Sequence, residues 1–213
     1  MKSSSDIKSE NMAVRLHRRT IMGRRVRQIS ENISSLFPAG ISTVLDVGAG
    51  TGEMAVAINQ YRQELKIMGA DVYIRPKTFI PVEKYDGSRL PFEDGAFDAV
   101  MTVDVLHHCN DPVATLKECS RVARKWVVVK DHISNNWWDA KRLRFMDWVG
   151  NRAHGVVLPY NYLSALEWDD AFSEAGLELD SQVCQIGLYP QPFEFLFGGS
   201  LHGLYLLRKI GGC

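Results

Sequence analysis

Short apolar runs alternate with amphipathic stretches along this chain, a pattern that predicts strands separated by helices. From Met12 to Phe37 apolar residues recur at helical spacing (Met22, Val26, Ile29, Ile33, Leu36), with Gly23 a candidate break between two helices and Pro38-Ala39-Gly40 closing the segment. A first strand follows over 43–48, and the next helix starts near Gly52 and buries Met54, Ala57, Ile58 and Tyr61. Lys66–Val72 reads as a second strand, 80–85 as a short third and 99–103 as a fourth, apolar enough to be central and parallel. Between Val72 and Pro81 there is little room for a crossover helix, and Arg75-Pro76 argues for a loop. Asp111-Pro112 supplies an N-cap and a proline at the first helical position, and Val113, Leu116, Cys119 and Val122 form the buried face of that helix. Lys125–Lys130 is a fifth strand. Ser164 and Glu167 make a capping box for a helix that buries Trp168, Ala171, Phe172 and Ala175 and stops at Gly176. Leu177–Leu188 and Leu204–Leu207 then read as two strands of an antiparallel hairpin, joined by an aromatic loop from Tyr189 to Gly199.

A chain of 213 residues suits one α/β domain with a sizeable core, and 46% hydrophobic and 23% charged residues are ordinary for a globular protein. The formal net charge is zero, so no global field draws the protein to nucleic acid or an anionic membrane. No apolar run reaches the roughly 18 residues of a membrane helix, and the polar start lacks a signal-peptide core. Residues 1–10 are expected to be disordered. Cys109, Cys119, Cys184 and Cys213 form no C-x-x-C pair, which favours reduced thiols in a cytoplasmic protein without a zinc site or disulfide framework. Arg15, Arg18, Arg19, Arg24, Arg25 and Arg27 interleave the first helix; a solvated face is the expected role, a basic cap meeting an anionic substrate or partner the alternative.

The candidate chemistry centres on Thr43–Glu53, TVLDVGAGTGE. A buried strand, a tight glycine turn and a helix N-terminus form the arrangement that binds the charged tail of a nucleotide-like cofactor. The third glycine place of a dinucleotide fingerprint, counted from Gly48, is Glu53, whose carboxylate would repel a pyrophosphate. The run D-x-G-x-G-x-G instead resembles motif I of the class I S-adenosylmethionine (SAM) methyltransferases. The stretch Asp86-Gly-Ser-Arg-Leu-Pro-Phe-Glu-Asp-Gly-Ala-Phe-Asp98, with VDVLHHC after it, resembles the methyltransferase type 11 group. The resemblance is specific over about 40–132 and one of pattern only over 160–210. It implies an α/β, Rossmann-like, seven-stranded and mostly parallel sheet with helices on both faces and a C-terminal antiparallel hairpin.

It also implies SAM as cofactor, held by Asp46 near the methionine ammonium, by the main chain of Gly48, Ala49 and Gly50, and by the main chain at Val103. Asp71, about 20 residues beyond the glycine turn and followed by Val72, can accept both ribose hydroxyls, or else is a strand-end turn residue. Asp86 and Gly87 would frame the adenine, the carboxylate accepting from the exocyclic amine; a plain turn role is the alternative. The helix after Gly52 is expected to favour the methionine carboxylate.

Methyl transfer is an in-line displacement, so holding two ligands in line is the main requirement. A general base is needed only for a protonated acceptor such as a phenol or an acidic carbon. His107, His108 and His132, at ligand-side strand ends, are the candidates, with structural histidines as the alternative. His107, His108 and Cys109 are not expected to bind a metal, because adjacent residues rarely point the same way. Residues 1–39 are expected to form a helical cap and 40–213 the methyltransferase domain, with 133–160, rich in Trp and Phe, inserted as a substrate lid or packed as core. The expected function is methyl transfer to a small organic acceptor, apolar or aromatic. An RNA or protein methyltransferase and a non-catalytic SAM-binding subunit are the alternatives. A small-molecule substrate is expected, with no nucleic acid and no membrane; the oligomeric state stays open.

Overall fold

The computed structural model describes residues 12–151, 161–183 and 185–211. The expected disordered start, Cys184, Cys213 and residues 152–160 of the expected lid lie outside the described residues. Strands β1 (Thr43–Val47), β2 (Lys66–Asp71), β3 (Val82–Lys84), β4 (Phe97–Val103), β5 (Ala123–His132), β6 (Leu177–Val183) and β7 (His202–Lys209) form one seven-stranded sheet in the order β3-β2-β1-β4-β5-β7-β6. The first five are parallel to one another, while β7 runs antiparallel to both β5 and β6. The expected architecture is the one observed, hairpin included. The strand order reverses between β1 and β4, and ligands of open α/β sheets sit beyond the strand C-termini at such a reversal.

Helices α1 (Met12–Leu36), α2 (Glu53–Asn59), α3 (Pro112–Val122), α4 (Trp137–Asn151), α5 (Ala165–Glu174) and α6 (Phe193–Phe197) surround the sheet. On one face, Ile29, Ile33 and Phe37 of the α1 segment pack with Ile58 of α2 against Val44, Met101 and Val128. On the other, Leu116 and Cys119 of α3 and Trp168 and Phe172 of α5 cover Leu45, Val100 and Val127. Both faces of the central strands are therefore sealed, which is why β1 and β4 read as apolar runs without alternation.

Gly23 does not divide α1: the helix runs through it, a lone glycine costing about 1 kcal/mol that the packed half of the helix offsets. The segment between β2 and β3 is a loop, as its length and Arg75-Pro76 predict. Strand β5 is longer than its apolar pattern. Lys130 is the last residue paired with β4, but β7 continues the ladder to Asp131 and His132, opposite Gly203 and His202. The Ser164–Glu167 capping box is present at the start of α5.

The 133–151 part of the expected lid contains α4, and its amphipathicity is inverted. Asp139, Leu143 and Asp147 are buried, whereas Trp137, Trp138, Phe145 and Trp148 are each more than half exposed. The aromatic residues expected to cover an acceptor thus face outward, because the inward face of α4 is occupied by carboxylates that find partners there. Asp139 accepts from the Asn135 amide at 3.1 Å and from Asn136 Nδ2 at 2.9 Å, and Asp147 accepts from the Tyr162 hydroxyl.

Candidate active site

Two polar groups lie beyond the C-terminal ends of the central strands. The first is a cleft of about 190 Å³ lined by Arg25, Val26, Ile29, Asp46, Gly48, Ala49, Met54, Val103 and Asp104. Four of the expected cofactor residues, Asp46, Gly48, Ala49 and Val103, meet here. The glycine turn is built as the motif requires. The Gly48 amide donates to the Ala70 carbonyl at 2.7 Å, and Gly48, Gly50 and Gly52 have φ of 76°, 57° and 80°. A Cβ on Gly48 would strike Val105 Cγ2 at 2.4 Å and one on Gly52 would strike Ile80 Cγ1 at 2.5 Å, whereas one on Gly50 would meet open space. Two glycines are thus demanded by the protein's own packing, and the third borders a vacant volume.

Asp46 is sealed at the end of β1, and its Oδ2 has no hydrogen-bond partner. Burial, and then the nearby charge of Asp71, pushes its carboxyl up to about 7. A buried carboxylate oxygen without a donor is costly, and such an atom points to a missing partner.

Asp71 sits at the end of β2. Its Oδ2 accepts from the Gly50 amide at 2.8 Å and its Oδ1 from the Tyr73 amide at 2.9 Å. The carboxylate thus ties β2 to the glycine turn, and each oxygen retains a second lone-pair direction for a ligand hydroxyl. Val72 and Gly87 adjoin: a Cβ on Gly87 would meet Val72 Cγ1 at 3.3 Å. Asp86 is exposed and accepts from the Ser88 and Arg89 amides at 2.8 and 3.0 Å, bonds that hold its carboxyl down at about 2. It therefore caps its own turn at the rim, outside the cleft lining.

Arg25 is the residue that sequence reasoning misplaced. Instead of belonging to a solvated face, it reaches from α1 into the cleft, where its Nη2 lies 2.5 Å from Asp104 Oδ2 and its Nη1 donates to the Tyr189 hydroxyl at 2.9 Å. Burial would lower its affinity for a proton, but Asp104 and Tyr189 raise it. Asp104 follows β4 with φ of 57°, the positive-φ non-glycine among the described residues, and its other oxygen pairs with Lys130. Against the upward push of burial, Arg25 and Lys130 hold the Asp104 carboxyl well below the usual range. Lys130 is fully buried and pushed down to about 8 by desolvation, with Asp104 opposing. His202 Nε2 lies 3.0 Å from the Phe197 carbonyl, which fixes that nitrogen as donor and leaves Nδ1 to accept from Lys130 Nζ at 3.2 Å.

The second group adjoins the first through β5. Asp131 Oδ1 lies 2.6 Å from His107 Nδ1 and accepts from the His132 amide at 2.7 Å, while Oδ2 accepts from the Leu106 amide at 2.8 Å. Asp131 therefore directs His107 into one tautomer, Nδ1 carrying the hydrogen and Nε2 left to gain or lose a proton. Nε2 lies 3.8 Å from Asp147 Oδ2, which carries the Tyr162 hydrogen bond. Burial lowers the basicity of His107, but Asp131, Asp104 and Asp147 outweigh it and raise the pKa. Of the other two candidates, His132 is lowered by desolvation, with Asp131 opposing, and its carbonyl accepts from Trp168 Nε1 at 2.9 Å. His108 is lowered to about 4 by burial and then by His107, and its buried Nδ1 has no partner.

The structure thus separates the three histidines: one in a carboxylate dyad, two held neutral. It also changes the metal question. His108 and Cys109 do not converge with His107, but His107, Asp131 and His132 offer atoms within 4.8 Å of one another, a grouping that could hold a metal ion. The hydrogen bonds on Asp131 account for the arrangement as it stands.

The Methyltransferase domain family model matches residues 16–182. The chain belongs to the methyltransferase domain family. The matched range includes most of α1, so the methyltransferase domain match begins before the strand that carries the glycine turn. Over 99 residues it is 35% identical to an uncharacterized methyltransferase of Schizosaccharomyces pombe, covering 38% of this chain and 36% of that protein. Over 97 residues it is 32% identical to a demethylmenaquinone methyltransferase of Roseiflexus castenholzii, covering 41% and 40%. The match spans about two fifths of the length of these curated relatives. Among solved structures, the methyltransferase domain is similar to the complex between the Haloferax volcanii Trm112 methyltransferase activator and a putative methyltransferase. That likeness has a TM-score of 0.70 at 16% identity, over 93% of this chain and 96% of that one. A Thermotoga maritima SAM-dependent methyltransferase, described as a possible histamine N-methyltransferase, superposes with a TM-score of 0.63 at 19% identity, over 92% and 94%. At these identities the likeness is one of fold, that of the class I SAM-dependent methyltransferases. No helix among the described residues is long and apolar enough to cross a membrane.

Lys130, Asp147, Tyr162 and His202 were not singled out by sequence reasoning. Lys130 and Asp104 carried a signal: a polar residue at the end of an otherwise apolar central strand is buried by its position, and a buried charge needs a partner. Arg25 was named only with the other arginines of its helix, a solvated face being the expected role and contact with an anionic substrate or partner the alternative.

Proposed function

We propose that the protein transfers a methyl group from SAM to a small organic acceptor, and that His107 serves as base for an acceptor that arrives protonated. The observation that carries the cofactor half is the unpartnered Asp46 Oδ2 in a cleft under the glycine turn. These residues fit the cofactor: a carboxylate awaits a cationic donor, the volume beside Gly50 is vacant, and Asp71 retains acceptor capacity. When bound, the cofactor supplies an electrophilic methyl on a sulfonium. Asp46 would hold its ammonium, the main chain at Gly48, Ala49, Gly50 and Val103 its flank, Asp71 with Val72 the ribose, and Asp86 with Gly87 the adenine edge.

The chain's own chemistry then concerns the acceptor's proton. His107 takes it on Nε2, Asp131 stabilises the resulting imidazolium, and Asp147 adds a second carboxylate beside it. His132 and His108 stay neutral and shape the wall. This favours a phenol or an acidic carbon over an amine, whose free lone pair needs no base. The Roseiflexus relative is named for demethylmenaquinone as its acceptor. The outward-facing aromatic residues of α4 withdraw one reason for an apolar acceptor, and the inward Asp147 and Tyr162 favour one with a polar handle.

Methyl transfer from labelled SAM to a cell extract, sorted into small-molecule, RNA and protein fractions, tests this reading. Label in the small-molecule fraction is the expected result. Label in RNA or protein would replace the acceptor class, and binding of SAM with no labelled product would favour a non-catalytic subunit.

A further inference from the structure

The outer face of α4 carries side chains that most protein surfaces hide. Trp137, Trp138, Phe145 and Trp148 are each more than half exposed, and α6 extends the patch. Phe145 stacks on Phe197 with 6.2 Å between ring centroids, and Arg142 Nη1 donates to the Leu196 carbonyl at 3.1 Å. Beside these joints Leu196 is half-exposed and Phe195 is 82% exposed. A contiguous apolar patch of this kind marks a surface that meets a partner. The charges of the two helices indicate which. All three of their carboxylates are used inward: Asp139 and Asp147 are buried, and Glu194 accepts from the Tyr189 and Gly199 amides at 2.7 and 3.2 Å. Lys141 lies instead among the outer rings. Its Nζ is 4.4 Å from the centroid of Trp137 and 5.6 Å from that of Trp138, and the two indoles stack at 4.1 Å. Arg144, three residues on, is exposed as well.

We propose that the outer face of α4 and α6 docks on an anionic lipid bilayer, the aromatic residues entering at the level of the headgroups and Lys141 and Arg144 meeting lipid phosphates. Indoles interleaved with cations and kept apart from carboxylates suit that boundary, where a ring is apolar over most of its surface and an ammonium keeps its contact with phosphate. A second copy of the chain fits less well. A twofold contact presents the same patch on both sides and so sets its cations together. The core of a protein interface is depleted in lysine, whereas Lys141 sits between the rings and the solvent they face. The zero net charge of the chain is an average over its whole surface, from which this face departs. With 15 residues and charges along its length, α4 lies on the bilayer and does not span it. Asp147, on the inner face of α4, lies 3.8 Å from His107 Nε2. Docking by the outer face therefore sets that end of the site one helix diameter, about 10 Å, from the lipid.

Vesicle flotation of the full chain tests this without depending on turnover. Wild-type protein is expected to bind vesicles of phosphatidylcholine with phosphatidylglycerol about tenfold more tightly than vesicles of phosphatidylcholine alone, and to bind them less at high salt. Lipids brominated near the top of the acyl chain are expected to quench its tryptophan fluorescence. Trp137→Ser with Trp138→Ser, Phe195→Ser and Lys141→Glu, all at exposed positions, are each expected to weaken vesicle binding by about tenfold with Tm unchanged. Should the double variant fail to fold, the two single variants and the quenching of wild-type protein still decide. Wild-type protein that does not float with the anionic vesicles overturns the proposal, and so does flotation that all of these variants retain. Without flotation, a dimer in sedimentation that the double variant abolishes gives the face to a second copy, and a lysate protein captured by wild type and lost in that variant gives it to a protein partner; either overturns the proposal. Each of these results leaves the SAM reading standing.

Discussion

His107 Nδ1 lies 2.6 Å from Asp131 Oδ1, and both side chains are sealed from solvent. A buried imidazole beside a buried carboxylate is a pair in which each partner sets the other's charge. Against burial, Asp131 raises the histidine pKa, and against burial the histidine holds Asp131 well below the usual carboxylate range. In Asp131→Asn the desolvation remains and the attraction is gone, so the His107 pKa is expected to fall below its ordinary value. Nitrogen NMR of the imidazoles across pH 4–9 reads this directly. An unmoved His107 titration would mean that Asp131 does not govern it.

The buried histidines give stability a dependence on pH with opposing signs. His132 and His202 have folded pKa values below their unfolded value of about 6.5, so the unfolded state binds more protons and stability falls as pH drops below that value. His107 acts the other way: its contribution is complete below about 6.5 and is lost as pH rises through its raised folded value. Urea midpoints measured from pH 5 to 8 are expected to fall on the acid side for wild type, less so for His202→Asn and more so for His107→Gln. A His202→Asn profile parallel to wild type would count against a neutral buried His202.

Gly48 and Gly50 should respond differently to a methyl group. Gly48→Ala drives a Cβ to 2.4 Å from Val105 Cγ2 at φ 76° and should cost about 1–3 kcal/mol of stability by overpacking. Gly50→Ala meets nothing within 4 Å and carries only the left-handed backbone strain, about 1–2 kcal/mol, while its Cβ enters the volume beside the turn. Its SAM affinity, measured by calorimetry on folded protein, should fall more than its stability. Normal SAM binding by Gly50→Ala would show that the ligand does not approach this turn.

Asp71→Ala removes a buried carboxylate that fastens the Gly50 and Tyr73 amides. SAM affinity should drop by about 1.5–3 kcal/mol, the worth of a hydrogen bond to a charged group, together with a lower Tm from the released turn. A lower Tm with unchanged affinity would make Asp71 a structural strut and not a ribose ligand.

Local pattern was enough for most elements. The β1–turn–α2 unit, the loop between β2 and β3, and the capped starts of α3 and α5 follow from apolar runs, glycines, prolines and capping residues that act within a few positions of themselves. One reading drawn from the same kind of evidence did not hold. Gly23 does not break α1, because packing of Ile29, Ile33 and Phe37 outweighs one glycine. The aromatic residues of α4 face outward, because periodicity marks a face without saying which way it turns.

By itself, then, the sequence determined the order of the strands, the glycine turn and the family of the fold, since these rest on neighbours along the chain. Only the tertiary structure decided which charges are shared. Arg25 meets Asp104 across 79 residues and Lys130 meets His202 across 72. His107 meets Asp131 and His132 only because β4 and β5 are adjacent and β7 prolongs β5 past its apolar run. Ion pairs and dyads depend on distance in space and on burial, and no run of letters records either.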